Sequence, residues 1–524
     1  MFPIPVLTPA QSAAWDEAAG AVGISTATLM DAAGRAVATL AAQRFGGAIR
    51  QGVVVACGTG NNGGDGWVAA RVLHRLGVPV WVAALHSSSV NRHSSLCSAM
   101  AALARCDGVR EISPDGPWPS VGLVVDAVLG TGARGEPRGD AAALIERVAE
   151  QALPVVAVDG PSGLDLQDGV AHGPLRARLS VTFGGYKRGH LLARDEVGDL
   201  VVADIGFPAP DPGWPLLYTR RRAMGALPAL RAGAHKGDRG RVVVVGGDRG
   251  LTGAARLAAR SAFAAGAGLV HVLLPPDCLP VLAGAEPDIQ TRPQPFDAAL
   301  EEESRALVDR ADLVIVGPGL GRHDSRPRLI FEVLERARAA VVDADALTML
   351  QGRVRDVADL ATTRSIVLTP HAGEFRTLFP DLAASAAVDP WTAAASAAGT
   401  SRCTVLLKGV PTVVAAPDGG GRPPLTVAAG NPGLATGGSG DTLSGLVGTF
   451  LAQGLDPQEA AALGAQAMGD GADLAARRHS ARSLRPMDVI AAFTELWRAW
   501  ELERSTLRAF HPPILHELER PAHA

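Results

Sequence analysis

Between Asn431 and Asp441 the chain reads Asn-Pro-Gly-Leu-Ala-Thr-Gly-Gly-Ser-Gly-Asp, and Leu443, Leu446, Val447 and Phe450 follow at helical spacing. Glycines leave successive backbone N–H groups free to face an anion, and a helix start adds the positive end of its dipole. The segment from Gly437 to Gly440 is therefore read as a cradle for a phosphoryl group, with a helix beginning near Thr442. Asp441 stands at that helix start, where a carboxylate can take the proton of a hydroxyl approaching phosphorus. An ordinary glycine-rich loop is the alternative, and the acid together with the helical run argues against it.

The first half carries a comparable set. Gly58-Thr59-Gly60-Asn61-Asn62-Gly63-Gly64-Asp65-Gly66 follows the apolar run Gly52 to Ala56 and opens a helix, an arrangement suited to pyrophosphate. Asn61, Asn62 and Asp65 interrupt the usual dinucleotide fingerprint and add oxygen ligands and hydrogen-bond partners. Asp126 ends the next run and precedes Leu129-Gly130-Thr131-Gly132-Ala133-Arg134-Gly135. Asp159 ends another and precedes Gly160-Pro161-Ser162-Gly163-Leu164-Asp165. Buried acids at strand ends are costly unless paired or bound to a cation, so three such ends point to a ligand rather than to helix caps alone.

Further motifs follow strands in the second half: Gly317-Pro318-Gly319-Leu320-Gly321, Thr369-Pro370-His371-Ala372-Gly373-Glu374, and Lys408-Gly409. The first is either a close approach of backbone to a ligand or a tight turn. Lys408 is either a phosphate ligand or a surface lysine. Asp343 and Asp345 either help hold magnesium through water or cap a sheet end.

Short β-branched runs and alanine-rich helical stretches must position these groups. Gly52 to Ala56, Val78 to Ala83, Leu123 to Ala127 and Val155 to Val158 read as strands of a parallel sheet covered on both faces. The pattern resumes with Val242 to Val245, a helix from Ala254 to Ala265, Leu269 to Leu274, Leu313 to Val316, Ala340 to Asp343, Ile366 to Leu368 and Thr404 to Leu407. The fold class is α/β, with two doubly wound three-layer α/β/α domains. Thr8-Pro9-Ala10-Gln11 is a capped helix start. Expected boundaries are 1–210 and 233–500, with a proline-rich linker or peripheral crossing segment at 211–232 and a tail at 501–524 that is disordered or loosely docked from Arg508.

With 524 residues, 47% hydrophobic content and a net charge of −4, the chain suits two large cores and no nucleic-acid or membrane surface. Its partner is expected to be a small molecule. Five cysteines without close pairing fit a reducing cytosol, and the acidic N-terminus does not read as a targeting segment, so a cytoplasmic location is expected. High apolar content and the tail's Trp497 and Trp500 suggest a homo-oligomer.

From roughly Gly233 to Leu496 the chain resembles the ribokinase-like fold and, within it, the NAD(P)HX dehydratase family. The resemblance rests on Lys236-Gly237-Asp238-Arg239-Gly240 ahead of Val-Val-Val-Val-Gly-Gly, on Gly-Pro-Gly-Leu-Gly, on Asp343-Ala344-Asp345-Ala346-Leu347, on Thr-Pro-His-Ala-Gly-Glu-Phe and on Ala-Thr-Gly-Gly-Ser-Gly-Asp. It implies repair of NADH and NADPH hydrated at ring position 6 (NADHX and NADPHX). A nucleotide phosphorylates that hydroxyl, and phosphate then leaves. The resemblance makes Asp441 the base and sets Gly438, Ser439 and Gly440 against the phosphoryl group. It brings Ala254, Gly319, His371 and Asp441 to the hydrated cofactor, and Lys408, Gly409, Val410, Pro411, Thr412 and Gly440 to the donor. The fused layout implies ADP, with Mg2+, as that donor.

From roughly Val6 to Phe207 the chain looks like the Rossmann-like NAD(P)HX epimerase family, through Gly-Asn-Asn-Gly-Gly-Asp-Gly, Asp-Ala-Val-Leu-Gly-Thr-Gly and Asp-Gly-Pro-Ser-Gly-Leu-Asp, with Thr182, Phe183 and Lys187 later. That family interconverts the R and S forms of the same hydrate. The resemblance assigns a potassium ion to Asn62, Asp126 and Ser162. Cofactor contacts fall to Asn61, Asn62, Gly63, Gly64, Asp65, Gly130, Thr131, Gly132, Ala133, Arg134, Gly135, Glu136 and Asp159. Asp159 is the candidate acid/base. Gly160 stands where the family more usually has a β-branched residue and is expected to loosen the turn. Two rival readings are an ATP-dependent metabolite kinase and a front domain that only binds.

Overall fold

The computed structural model describes residues 3–86, 95–417, 421–506 and 515–518. They divide into two compact units, one formed by the described residues up to 214 together with 515–518, the other by those from 215 to 506.

The first unit is an eight-stranded sheet, ordered Leu515–Leu518, Asp199–Ala203, Leu179–Phe183, Val155–Val158, Leu123–Ala127, Val53–Cys57, Val80–Ala84 and Arg110–Ile112. All neighbours are parallel except the first pair. Val53–Cys57, Leu123–Ala127 and Val155–Val158 are buried along their whole length, which is why they read as unbroken apolar runs. Helices Thr26–Arg44 and Asn61–Arg75 pack together beside Val53–Cys57 and close one face. Each fully buried Val or Leu there contributes roughly 1.5–3 kcal/mol. The Thr8 capping box forms as expected, with Gln11 N donating to Thr8 Oγ1 and Thr8 N to Gln11 Oε1.

The second unit holds a ten-stranded sheet, ordered Leu216–Leu217, Leu425–Val427, Thr412–Ala415, Thr404–Leu407, Ser365–Leu368, Ala339–Val342, Leu313–Val316, Arg241–Val245, Leu269–Leu274 and Gln290–Pro293. It is parallel from Thr404–Leu407 onward, and Thr412–Ala415 runs antiparallel to both its neighbours. Helices Thr252–Ala264, Ser439–Ala452 and Pro457–His479 cover one face with small residues, so they approach closely. A Cβ at Gly445 would lie 2.3 Å from Ala258 O, so that crossing requires glycine.

Three expectations change. The proline-rich segment is not a bare linker, because Leu216–Leu217 pairs with Leu425–Val427 and helix Arg220–Ala226 packs on Pro457–His479. The tail is not loose throughout: Leu515–Leu518 adds an antiparallel strand to Asp199–Ala203, where Tyr186 Oη meets His516 Nδ1 at 3.0 Å and Arg44 pairs with Glu517. The stretch from Arg508 to Ile514 lies outside the described residues. The tryptophans are not exposed, since Trp500 is fully buried and Trp497 donates to Ala264 O at 2.7 Å, and the oligomer loses that support.

Candidate functional site

The carboxyl ends of the first unit's strands open onto a cavity of about 760 Å³. Asn61, Asn62, Asp65, Asp159 and the loop from Gly130 to Arg134 line it. Gly63, Gly64, Gly135 and Glu136, expected there, lie outside the lining. Gly63 and Gly64 serve packing: a Cβ at Gly63 would sit 2.0 Å from Gly58 O, and one at Gly64 2.6 Å from Met30 Sδ.

Asp159 is 7% exposed and has φ +66, a left-handed conformation that only its surroundings can hold in a residue with a side chain. Its Oδ1 accepts from Lys187 Nζ at 2.7 Å and Thr182 Oγ1 at 2.9 Å; its Oδ2 accepts from Thr131 N at 3.1 Å and from Thr131 Oγ1. Burial pushes its pKa up, yet the Lys187 ammonium and the hydrogen bonds from Lys187 and Thr182 hold it below the ordinary range. Asp159 is therefore an ionised partner of Lys187.

Lys187, 2% exposed, lines the same cavity and is the main residue whose role sequence reasoning missed. Its signal was a lysine just past the unrecognised strand Leu179–Phe183. Asp65 also faces the cavity, and burial, then Asp159 and Asp16, push its carboxyl well above the ordinary range.

Asp126 is fully buried and has no ion pair among the described residues. Its oxygens accept from Ser162 N at 2.8 Å, Ser162 Oγ at 2.6 Å and Val128 N at 3.2 Å. Burial raises its pKa. Asn62 is close by: a Cβ at Gly130 would lie 2.9 Å from its Oδ1, and its Nδ2 is buried without a partner. Asp126 and Ser162 thus meet, and Asn62 stands against Gly130 in the loop after Asp126. Gly160 does not loosen the turn, because Leu166 and His190 fill the space beside it.

In the second unit the expected groups meet at the carboxyl ends of Ala339–Val342, Ser365–Leu368 and Thr404–Leu407. Lys408 Nζ lies 2.8 Å from Asp343 Oδ1 and 3.6 Å from Glu374 Oε2, and Ser444 Oγ donates to Asp343 Oδ2 at 2.6 Å. Lys408 is a site lysine, not a surface one. Gly440 sits against it: a Cβ there would be 3.2 Å from Lys408 Nζ. The hairpin turn from Lys408 to Thr412 presents Gly409 and Val410 to solvent, with Thr412 Oγ1 closing onto Gly409 O at 3.2 Å. His371 is exposed, caps helix Ala372–Leu378 through Nδ1 and bridges to Lys408 along the backbone. Gly319, at φ +61, is next to Ala254, whose Cβ would be 3.2 Å from one built on the glycine.

Asp441 lies in the first turn of helix Ser439–Ala452. Burial, then Asp343, push its pKa up to about 7 against the pull of Lys408. It is therefore poised as a base near neutrality. Asp343 accepts from Lys408, and Asp345 accepts from Arg322 Nε at 2.8 Å and Gly321 N at 3.0 Å. Among the described residues no group of three or more His, Cys, Asp or Glu could hold a metal, and no helix is long and apolar enough to cross a membrane.

Two family models match the chain: NAD(P)H-hydrate dehydratase over residues 242–495 and YjeF-related protein N-terminus over 26–189. A solved structure of the ADP/ATP-dependent NAD(P)H-hydrate dehydratase of Bacillus subtilis, co-crystallised with ATP/Mg2+, is 26% identical, with a TM-score of 0.47 over 55% of this chain and 98% of that one. The bifunctional NAD(P)H-hydrate repair enzyme of Moorella thermoacetica is 36% identical over 516 residues, covering 93% of this chain and 95% of its own length. Its Escherichia coli counterpart is 35% identical over 489 residues, covering 92% and 91%. Matched along nearly its whole length, the chain belongs to the bifunctional NAD(P)H-hydrate repair enzyme family.

Proposed function

We propose that the first unit interconverts the R and S forms of hydrated NADH and NADPH, and that the second dehydrates the S form with ADP as phosphoryl donor. The observation that carries the reading is Asp441, a base poised near neutrality at the head of a glycine cradle beside Lys408. Asp441 takes the proton of the 6-hydroxyl as its oxygen attacks the β-phosphorus of ADP, and AMP leaves. The C6–O bond then breaks with its electrons on phosphate, the ring nitrogen's lone pair closes N1=C6, and loss of the C5 proton restores the reduced ring. Gly438, Ser439 and Gly440 meet the moving phosphoryl group, and Lys408 to Thr412 hold the nucleotide. Ala254, Gly319 and His371 meet the hydrated ring. Protein work here is mostly positioning and charge stabilisation. Magnesium, carried on the nucleotide phosphates through water, would neutralise their charge.

In the first unit the Lys187–Asp159 pair delivers a proton to the departing 6-oxygen, and water forms. The nitrogen lone pair closes N1=C6, water adds to either face, and the proton returns to the pair. Asn61, Asn62, Asp65 and Gly130 to Arg134 bind the cofactor. A buried carboxylate that has no ion pair among the described residues and accepts from a hydroxyl, with the Asn62 amide against the Gly130 loop that follows, supports a potassium ion held by Asn62, Asp126 and Ser162. Such an ion would fix the loop after Leu123–Ala127 and screen Asp126.

The test is recovery of reduced-nicotinamide absorbance from a mixture of hydrate epimers, with magnesium, potassium and either ADP or ATP. Full recovery with ADP supports both activities. Recovery that stops when the S form is spent removes the epimerase, and no recovery with either nucleotide favours a metabolite kinase.

A further inference from the structure

Gly160 directly follows Asp159, and the room its side chain would take is filled from elsewhere. A Cβ there would lie 3.0 Å from His190 Nε2 and 2.9 Å from Leu166 Cδ2. His190 is fully buried. Its Nδ1 accepts the Lys187 backbone N–H at 3.1 Å, which puts the neutral ring's proton on Nε2. That Nε2 has no hydrogen-bond partner among the described residues and lies against Gly160, the residue after Asp159. Burial, then the Lys187 ammonium, bring the ring's pKa down to about 3, so it stays neutral in one tautomer. One imidazole therefore holds the main chain of Lys187 and packs against the residue that follows Asp159. It does so where Asp159 holds its φ of +66.

We propose that His190, seated in the space left by Gly160, is a positioning residue for epimerisation that fixes the backbone of Lys187 and Asp159 relative to each other. The inference rests on the epimerase reading above. A side chain at position 160 and the imidazole at 190 compete for one volume, so the two positions must act as a unit.

The experiment compares the full chain with His190→Ala, His190→Asn, Gly160→Ala and the double variant Gly160→Ala/His190→Ala. It reads kcat and KM for interconversion of the epimers, with thermal unfolding alongside. His190→Ala is expected to lower kcat about 10-fold or more with little change in KM, since small misplacements of a reacting pair are costly. His190→Asn, whose Oδ1 can take the place of Nδ1, is expected to recover most of the loss. Gly160→Ala should cost a similar factor alone and clearly less in the His190→Ala background, where the contact with Leu166 remains but that with the imidazole is gone. Unchanged kcat in His190→Ala, or losses that multiply in the double variant, overturns the inference. A loss that follows only the melting temperature and is not rescued by Asn makes the role merely structural and also overturns it. A wild-type chain that fails to interconvert the epimers overturns the epimerase reading and this inference together, whereas an unaffected variant of an active wild type overturns this inference alone.

Discussion

Lys187 Nζ lies 2.7 Å from Asp159 Oδ1, and the two side chains are almost completely withdrawn from water although both line a cavity. Such a pair is held by geometry and by further donors, since desolvating two charges costs more than attraction alone returns. Here Thr131 and Thr182 supply those donors.

Stability and catalysis at this pair separate by mutation. Lys187→Met leaves a buried carboxylate without its cation and is expected to destabilise the first unit by about 3–5 kcal/mol. Lys187→Met/Asp159→Asn, which removes both charges and keeps a side chain that tolerates φ +66 and can still accept from Thr131 and Thr182, should regain most of that stability while epimerisation stays absent. Calorimetry and epimer exchange, measured on both variants, check it. Exchange surviving in the double variant would remove the pair from the chemistry.

Dehydration should depend on pH through Asp441. Its carboxyl is raised from 3.8 to about 7, so in the free enzyme the active, ionised base is lost as pH falls through that value. kcat/KM for the S hydrate is expected to rise with unit slope below about pH 7 and then level. Asp441→Asn should lower kcat by about 10²–10⁴-fold and abolish this limb. The raised value also means that ionising Asp441 subtracts folded-state stability between pH 3.8 and about 7. A rate independent of pH from 5 to 8, about the span in which such a base titrates, would count against the assignment.

Potassium dependence is expected to be sensitive to Gly130. A Cβ at that position would press on Asn62 Cγ at 2.9 Å. Gly130→Ala should therefore raise the potassium concentration needed for half-maximal epimerisation several-fold and leave dehydration unchanged. Titration with potassium chloride at constant ionic strength reads this directly. An unchanged titration curve would separate Asn62 from the ion.

Two glycines of the phosphoryl cradle should fail in different ways. Gly438 has φ +94, and a Cβ there would meet Leu257 Cδ1 at 2.5 Å, so Gly438→Ala adds roughly 1–2 kcal/mol of backbone strain plus a clash. Its expected effect is a lower kcat for dehydration. Gly440 carries no such strain, and its Cβ would meet only the flexible end of Lys408, at 3.2 Å, and Asp343 Oδ2 at 3.7 Å. Gly440→Ala is expected to raise KM for ADP with a smaller effect on kcat. Steady-state kinetics with varied ADP distinguishes them.

What could be read from the sequence follows burial. Leu123–Ala127, Val155–Val158, Leu313–Val316 and Thr404–Leu407 are covered on both faces, so each shows as an apolar run with the observed limits. Leu179–Phe183 was missed because Ser180 and Thr182 break its run, although both are fully buried. Gln290–Pro293, at a sheet edge, is only partly covered and has no apolar signature. Asp441 could be found from its neighbours in the chain. Lys187 could not, because its meaning comes from Asp159, 28 residues away and joined only by folding. Gly63 and Gly64 show the converse: a motif can be recognised while the reason for its glycines is packing.

The strand Leu515–Leu518 bears on how the polypeptide is made. Synthesis runs from residue 1 onward, so the ribosome releases all of the second sheet before the segment that borders Asp199–Ala203 exists. During that interval Asp199–Ala203 is an edge with unpaired backbone groups, the kind of surface on which nascent chains pair with one another. A message broken just after codon 506 would leave Asp199–Ala203 without its antiparallel neighbour, as a bare sheet edge.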